Sequence, residues 1–391
     1  MRSRAGTRHP RRDAYHDNNL RLAPVNPSVV SYPSPANPAA TVRPASFKLG
    51  TFATAGGEPL PGLVLGAAAE SAASAGSPAG PAGIPRIVPL PRLSPLLRRA
   101  GAPLPGADSL LSLLEHWPGN LAVLTRVLTD AYPEVLRLSV PETEVSTHAP
   151  IPAPRQIFCT VANYRSQVTE AIVDGGAPPH TDGMDADQRR GYAKQAIERR
   201  LESSPYVCLK LPSTVIGPYG SLEIPQRSQR VDWEIELAAV IGRPCRQVPR
   251  AQAMAHVAGY MLVNDITARD LVRRPDLPAL GTDWLQSKNA PGFLPTGPYL
   301  VPASFIPDPY AVRLALRLNG ETMQDERVGD MMFDIAAQIE YVSAYAQLLP
   351  GDIICTGTPG GCGIHHGRFL RPGDVLEGSA PGLGVQRITC V

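Results

Sequence analysis

The run DWEIELAAVIG, residues 232–242, puts Ile235, Leu237, Ala239 and Ile241 on one side of an extended backbone and Ala238 and Val240 on the other. Apolar residues on both sides predict a strand buried on both faces. Its start breaks the pattern, because Glu234 and Glu236 lie on the face that Ala238 and Val240 continue. Two like charges buried there unpaired would cost several kcal/mol. Either that end is wet or something positive sits between the acids. Further strands are predicted at YVCLKLP, VAGYMLVNDIT, GPYLVP, VRLALRLNG and DIICTGTP.

Helical spacing is rarer. Leucines recur at three- and four-residue intervals in LSPLLRRAG and in SLLSLLEHWPGNLAVLTRVLTDAY, where Pro118 and Gly119 are expected to separate two helices. FDIAAQIEYVSAYAQ predicts another, and the charged stretch DADQRRGYAKQAIERRLES a solvated one. Strands dominate and helices are isolated, so the expected class is α+β, strand-rich, rather than a doubly wound sheet.

Three divisions follow. Residues 1–45 hold seven arginines, no lysine or glutamate, and prolines throughout PVNPSVVSYPSPANP. They are expected to be a disordered extension; a mitochondrial presequence or a nucleic-acid-binding arm are the functional alternatives. Residues 46–150 form a small α/β unit that opens with a β-hairpin and includes a Pro/Gly-rich loop over 68–84; His116 there is expected on a helix surface. The linker THAPIPAPRQ leads into the main domain, 155–391, where residues 171–203 form a lid or a plain surface helix.

Composition narrows the partners. A formal net charge of +2 in 391 residues gives no general electrostatic case for nucleic acid or a membrane surface, and no apolar stretch is long enough to span a bilayer. The six cysteines are scattered without a C-x-x-C pair, which fits reduced, buried thiols in the cytoplasm rather than disulfides or a zinc site.

Asp265 leaves the end of the apolar strand VAGYMLVN, a position from which a carboxylate can reach a cavity. With Glu234 and Glu236 it would make an all-oxygen site suited to Mg²⁺, Mn²⁺ or Ca²⁺, although E-x-E also recurs on exposed strand edges. QSKNAPGFLPTGPYLVP places Lys288 in a loop of small residues and prolines. ICTGTPGGCG ends a strand in a turn expected to expose Thr356, Thr358 and N–H groups able to bind an anion.

Together NYRSQVTE, KLPSTVIGP, DWEIELAAVIG, NDITARD, SKNAPGFLPTGPYLV, LNGETMQD, PGDIICTGTPGGCG and RPGDVLEG resemble, in order, the fumarylacetoacetate hydrolase family over residues 155–391. Residues 46–150 look like the N-terminal domain of its bacterial members. The resemblance implies a mixed β-sandwich roll, a homodimer, and C–C cleavage of a β-diketo acid with Mg²⁺ or a similar ion (Mn²⁺ or Ca²⁺), as in aromatic catabolism. It implies Glu234, Glu236 and Asp265 as metal ligands and Lys288 as the stabiliser of developing negative charge. Arg269, Thr358 and Tyr164 are implied to face substrate.

Two positions depart from the family pattern. Gln167 stands where N-Y-x-x-H-x-x-E has its histidine, and an amide cannot take up a proton near neutral pH. Val272 stands where relatives often carry a substrate-facing glutamine. Glu170 then becomes the expected base, with His180 in the lid as the alternative. The resulting expectation is an acylpyruvate-type hydrolase. An isomerase, decarboxylase or hydratase of a related acid, or a non-catalytic metal and ligand binder, are the alternatives.

Overall fold

The computed structural model describes residues 46–66, 84–174, 181 and 183–391. The expectations for residues 1–45, for the loop over 68–83 and for His180 fall outside them. Strands β1 (Lys48–Thr54), β2 (Leu60–Leu65), β3 (Arg86–Pro89), β4 (Val140–Pro141) and β5 (Val145–His148) form one sheet in the order β4-β3-β2-β1-β5. The expected hairpin is β1–β2, paired from Lys48↔Val64 to Phe52↔Leu60. A six-stranded sheet joins β6 (Ile157–Val161), β7 (Tyr206–Lys210), β11 (Ile235–Ile241), β12 (Val257–Asn264), β15 (Val301–Pro302) and β18 (Ile353–Cys355), in the order β15-β12-β11-β18-β6-β7. A five-stranded sheet, β17-β16-β19-β20-β9, uses β9 (Ser221–Leu222), β16 (Arg313–Leu318), β17 (Glu321–Arg327), β19 (Val375–Ala380) and β20 (Gly384–Cys390). Two short pairs, β10 (Val231–Asp232) with β13 (Thr267–Ala268) and β8 (Val215–Ile216) with β14 (Leu294–Pro295), complete the strands.

The helices are α1 (Ser94–Arg99), α2 (Leu110–Glu115), α3 (Trp117–Arg137), α4 (Arg165–Val173), α5 (Ala186–Leu201), α6 (Arg250–Ala253), α7 (Trp284–Lys288), α8 (Ile335–Tyr345) and α9 (Gly363–His366). The break expected at Pro118–Gly119 falls instead at exposed His116, which ends α2 and precedes α3. Pro118 lies in the first turn of α3, where a missing N–H costs no helical hydrogen bond. Helix α5 starts at a capping box formed by Asp185 and Gln188 and buries only Ala193, so it is a solvated helix laid on α4.

β11 is buried along its whole length. Ile235, Leu237, Ala239 and Ile241 enter one core and Ala238 and Val240 the other, as the alternation requires. The second core is shared with the N-terminal elements, through Leu49, Leu63, Leu113 and Trp117 among others. β1 also reaches the main sheet directly, where Leu49 and Leu300 exchange backbone hydrogen bonds of 2.8 Å each way. All six cysteines are free and buried.

Candidate active site

Register assembles the three acids. β11 pairs with β12 from Ile235↔Asn264 onward, and just beyond that pair the Asp265 N–H donates to the Glu234 carbonyl at 2.9 Å. The Glu234 N–H in turn donates to the Asn264 side-chain oxygen at 2.8 Å. One carboxylate oxygen from each of Glu234, Glu236 and Asp265 lies within 4.8 Å of the others. They are 6%, 1% and 1% exposed, so this strand end is dry and needs positive charge.

Lys288 supplies it. Its ammonium donates to Glu234 Oε2 at 2.9 Å, Asp265 Oδ2 at 2.5 Å and Thr267 Oγ1 at 2.9 Å. The lysine is not in a loop but is the last residue of α7, which Asp283 caps by accepting from the Gln286 N–H. A second lysine was given no role by the sequence. Buried Lys210 donates to the carbonyls of Ile266, Lys288 and Phe293 at 2.6–2.9 Å, and its Nζ lies 2.9 Å from Asp265 Oδ1 without hydrogen-bond alignment. The only signal for it is a lysine at the inward end of the apolar strand YVCLK.

Arg269 closes the other side. Its Nε donates to Asp232 Oδ2 at 2.8 Å and its Nη1 lies 2.7 Å from Glu234 Oε1. Asp232, also unassigned from sequence, accepts from the Gly363 N–H at 2.6 Å and the Ile364 N–H at 3.1 Å, pinning α9. Val272 is half-buried in the turn that follows Arg269.

The glycine-rich turn after β18 behaves differently from expectation. Thr356 and Thr358 are buried, and their hydroxyls donate to the carbonyls of Leu237 and Ile235 at 2.7 and 2.9 Å. The turn does bind anions, but they are the protein's own carboxylates: Gly357 N–H donates to Glu236 at 2.7 Å and Gly361 N–H to Glu170 at 2.6 Å. Gln167 and Glu170 both lie on α4, half-buried, and the Gln167 side chain has no hydrogen-bond partner among the described residues. Tyr164 just ahead of α4 is wholly buried and bridges to Met331 through the backbone.

The electrostatics show a site one positive charge short. Counted as formal charges among the described residues, Asp232, Glu234, Glu236 and Asp265 face Lys210, Lys288 and Arg269 alone. Burial, with repulsion from Asp265 and Glu234, pushes the Glu236 carboxyl well above its ordinary range. Burial works against Asp265 too, but Lys210 and Lys288 outweigh it and hold that carboxyl below its usual value. For Lys288 and Arg269 burial opposes the charge, and the facing carboxylates overcome it and raise both.

Three buried polar atoms here have no hydrogen-bond partner: Arg269 Nη2, Tyr164 OH and Asp265 Oδ1. Asp265 Oδ1 is met only by the Lys210 ammonium, and a buried donor such as Arg269 Nη2 left without an acceptor is available to a group from outside the protein. Three convergent hard carboxylates with excess negative charge fit a divalent cation of the Mg²⁺, Mn²⁺ or Ca²⁺ type.

Comparison with known proteins identifies the family. The family model described as fumarylacetoacetate (FAA) hydrolase C-terminal matches residues 156–391. Oxaloacetate tautomerase FAHD2A, mitochondrial, of Bos taurus is 32% identical over 279 residues, 71% of this chain and 78% of the bovine one. A 2,4-didehydro-3-deoxy-L-rhamnonate hydrolase of Sphingomonas sp. (strain SKA58) is 38% identical over 203 residues, 50% of this chain and 69% of its own. The crystal structure of a probable 2-hydroxyhepta-2,4-diene-1,7-dioate isomerase from Mycobacterium abscessus superposes with a TM-score of 0.57 at 30% identity, covering 88% of this chain and 98% of that one. The chain belongs to the fumarylacetoacetate hydrolase family, whose members include hydrolases, isomerases and tautomerases. Among the described residues no helix is long and apolar enough to cross a membrane.

Proposed function

We propose that this member of the fumarylacetoacetate hydrolase family is a dication-dependent hydrolase of a β-diketo acid of the acylpyruvate type. The carrying observation is the dry cluster of Glu234, Glu236 and Asp265 against Lys288, beside the unpaired Nη2 of Arg269. A hard dication held by the three acids would supply Lewis acidity toward the carboxylate and oxo oxygens of a 2-oxo acid. Arg269 Nη2 offers the substrate carboxylate a preorganised donor. Lys288, already charged and buried, stabilises the negative charge that develops on the enolate oxygen of the leaving 2-oxo acid. Glu170 takes the proton of the attacking water once it leaves the Gly361 N–H, and Gln167 one turn earlier orients that water. The Thr358 hydroxyl is committed to Ile235 and Gln324, so its part is to hold the turn in place.

Gln167 favours a second reading. Moving a proton between carbon and oxygen of a 2-oxo acid needs the same charge stabilisation but no activated water, as a tautomerase or isomerase would use it. The test is turnover of an acylpyruvate panel and of oxaloacetate by the Mg²⁺-loaded protein, with a chelated control. Acylpyruvate cleavage that stops on chelation supports hydrolysis. Oxaloacetate tautomerisation without cleavage selects the second reading. Tight 2-oxo acid binding with no turnover of either kind rejects both and leaves a binding protein.

A further inference from the structure

Helix α4 carries Gln167 and Glu170 but has little core to hold it. Of its nine residues only Ile172 is buried, so packing alone does not fix how the helix is turned about its axis. Its N-cap, Tyr164, offers no side-chain acceptor to the first-turn amides. Asp330, in the turn after β17, supplies one from outside the helix. Its Oδ2 accepts from the Ser166 N–H at 2.8 Å and from the Ser166 hydroxyl at 2.7 Å. Arg165 ties the same turn, its Nη1 donating to the carbonyls of Asp330 and Met331 at 3.0 and 2.9 Å.

The Ser166 hydroxyl is a relay of fixed direction. Its one proton goes to Asp330, so its oxygen is left to accept, and it accepts from the Gly360 N–H at 3.1 Å. The next amide in the turn, that of Gly361, donates to Glu170 at 2.6 Å. Ser166 and Glu170 are four residues apart and share a face of the helix. Two successive amides of the glycine turn therefore hold α4 at two points one helical turn apart. The same turn holds Glu236 through the Gly357 N–H, so it is the common frame of the helix and the acid cluster.

We propose that Ser166, anchored by Asp330, is a positioning residue that sets where the Glu170 carboxylate stands on the glycine turn. This rests on the reading of Glu170 as the base. When Glu170 leaves the Gly361 N–H to take a proton, the chain from Gly360 through Ser166 to Asp330 is untouched. The helix keeps its place, and the carboxylate can return to the same amide. Ser166 has its own proton committed to Asp330 and acts through Glu170.

The test is steady-state turnover of acetylpyruvate and of oxaloacetate by the Mg²⁺-loaded full chain, with Mn²⁺ binding measured alongside. The variants are S166A, S166T, D330N, E170Q and the double variant S166A/E170Q. S166A should lower kcat about 10–10²-fold, the effect of a displaced catalytic group, with KM and Mn²⁺ affinity held within about 2-fold. S166T keeps the hydroxyl and should bring kcat back to within about 3-fold of wild type. D330N keeps the shape but loses the charge behind the hydroxyl, and should lower kcat about 10-fold at unchanged KM. Because Ser166 acts through Glu170, S166A should add less than about 2-fold to the loss in E170Q. An unchanged kcat in S166A, a loss that carries over in full to the E170Q background, or one that S166T does not rescue overturns the proposal. If S166A does not fold, D330N decides: the loss of kcat at constant KM supports the proposal, and a wild-type kcat overturns it. E170Q at the wild-type rate, or a wild type that turns over neither compound, is the separate failure of the base reading, and the positioning role falls with it.

Discussion

The site has a sheet side and a helix side, and they are built by different physics. On the sheet side, Glu234, Glu236 and Asp265 project from paired strands whose register leaves no freedom. Their charges are met by lysines and an arginine at hydrogen-bond distance. On the helix side, Gln167 and Glu170 ride half-buried on α4, and Glu170 touches the rest through a single contact to the glycine turn. The sheet side fixes where an oxygen ligand set must be. The helix side can shift by side-chain rotation, as a group that must accept and return a proton requires.

The largest effect should come from breaking the sheet side. Asp265→Asn removes one of three carboxylates and with it the ion-pair partner that Lys210 and Lys288 share. Binding of Mn²⁺ by calorimetry should disappear, and urea unfolding of the metal-free protein should lose about 3–5 kcal/mol. Retained Mn²⁺ binding would remove Asp265 from the ligand set.

Glu170→Gln should cost about 10²–10⁴-fold in kcat with little change in melting temperature, because the amide oxygen can still accept from Gly361. Equal losses of rate and stability would erase the contrast between the two sides.

Lys288→Ala joins them. Its proline-rich sequence context suggests a residue separable from folding, but it is buried with three partners, so the metal-free variant should lose about 1–3 kcal/mol. Loss of a preorganised donor should lower kcat about 10²–10³-fold. Mg²⁺ should recover much of the stability and none of the rate, since a dication can take over the neutralisation of Glu234 and Asp265. Recovery of both would make the lysine merely a counter-ion.

The smallest effect probes the helix side alone. A methyl group at Gly360 would come 2.8 Å from the Glu170 carboxyl carbon, the far end of a flexible side chain. Gly360→Ala should therefore reduce kcat only about 10-fold while leaving the fold intact. An unchanged rate would show that the placement of Glu170 at the turn is unimportant.

Legibility followed the same divide. The alternation in β11 is local information, so the strand, its two-faced burial and the misplaced acids could all be read from eleven consecutive residues. Asp265 could be placed because a strand end is visible in sequence. Lys210 and Asp232 could not, since their roles come from the packing of β7 and α9 against distant backbone. The turn at 356–361 was read as an open anion site because sequence does not show which groups arrive from elsewhere; Glu236 and Glu170 had already filled it.

The most direct test is anomalous diffraction from crystals grown with Mn²⁺ and oxalate. The account predicts one peak bounded by Glu234, Glu236 and Asp265 at about 2.0–2.6 Å, with Lys288 drawn off at least one carboxylate and Arg269 Nη2 on the oxalate. A peak elsewhere, or the three acids still locked to Lys288 with oxalate bound away from Arg269, would contradict it.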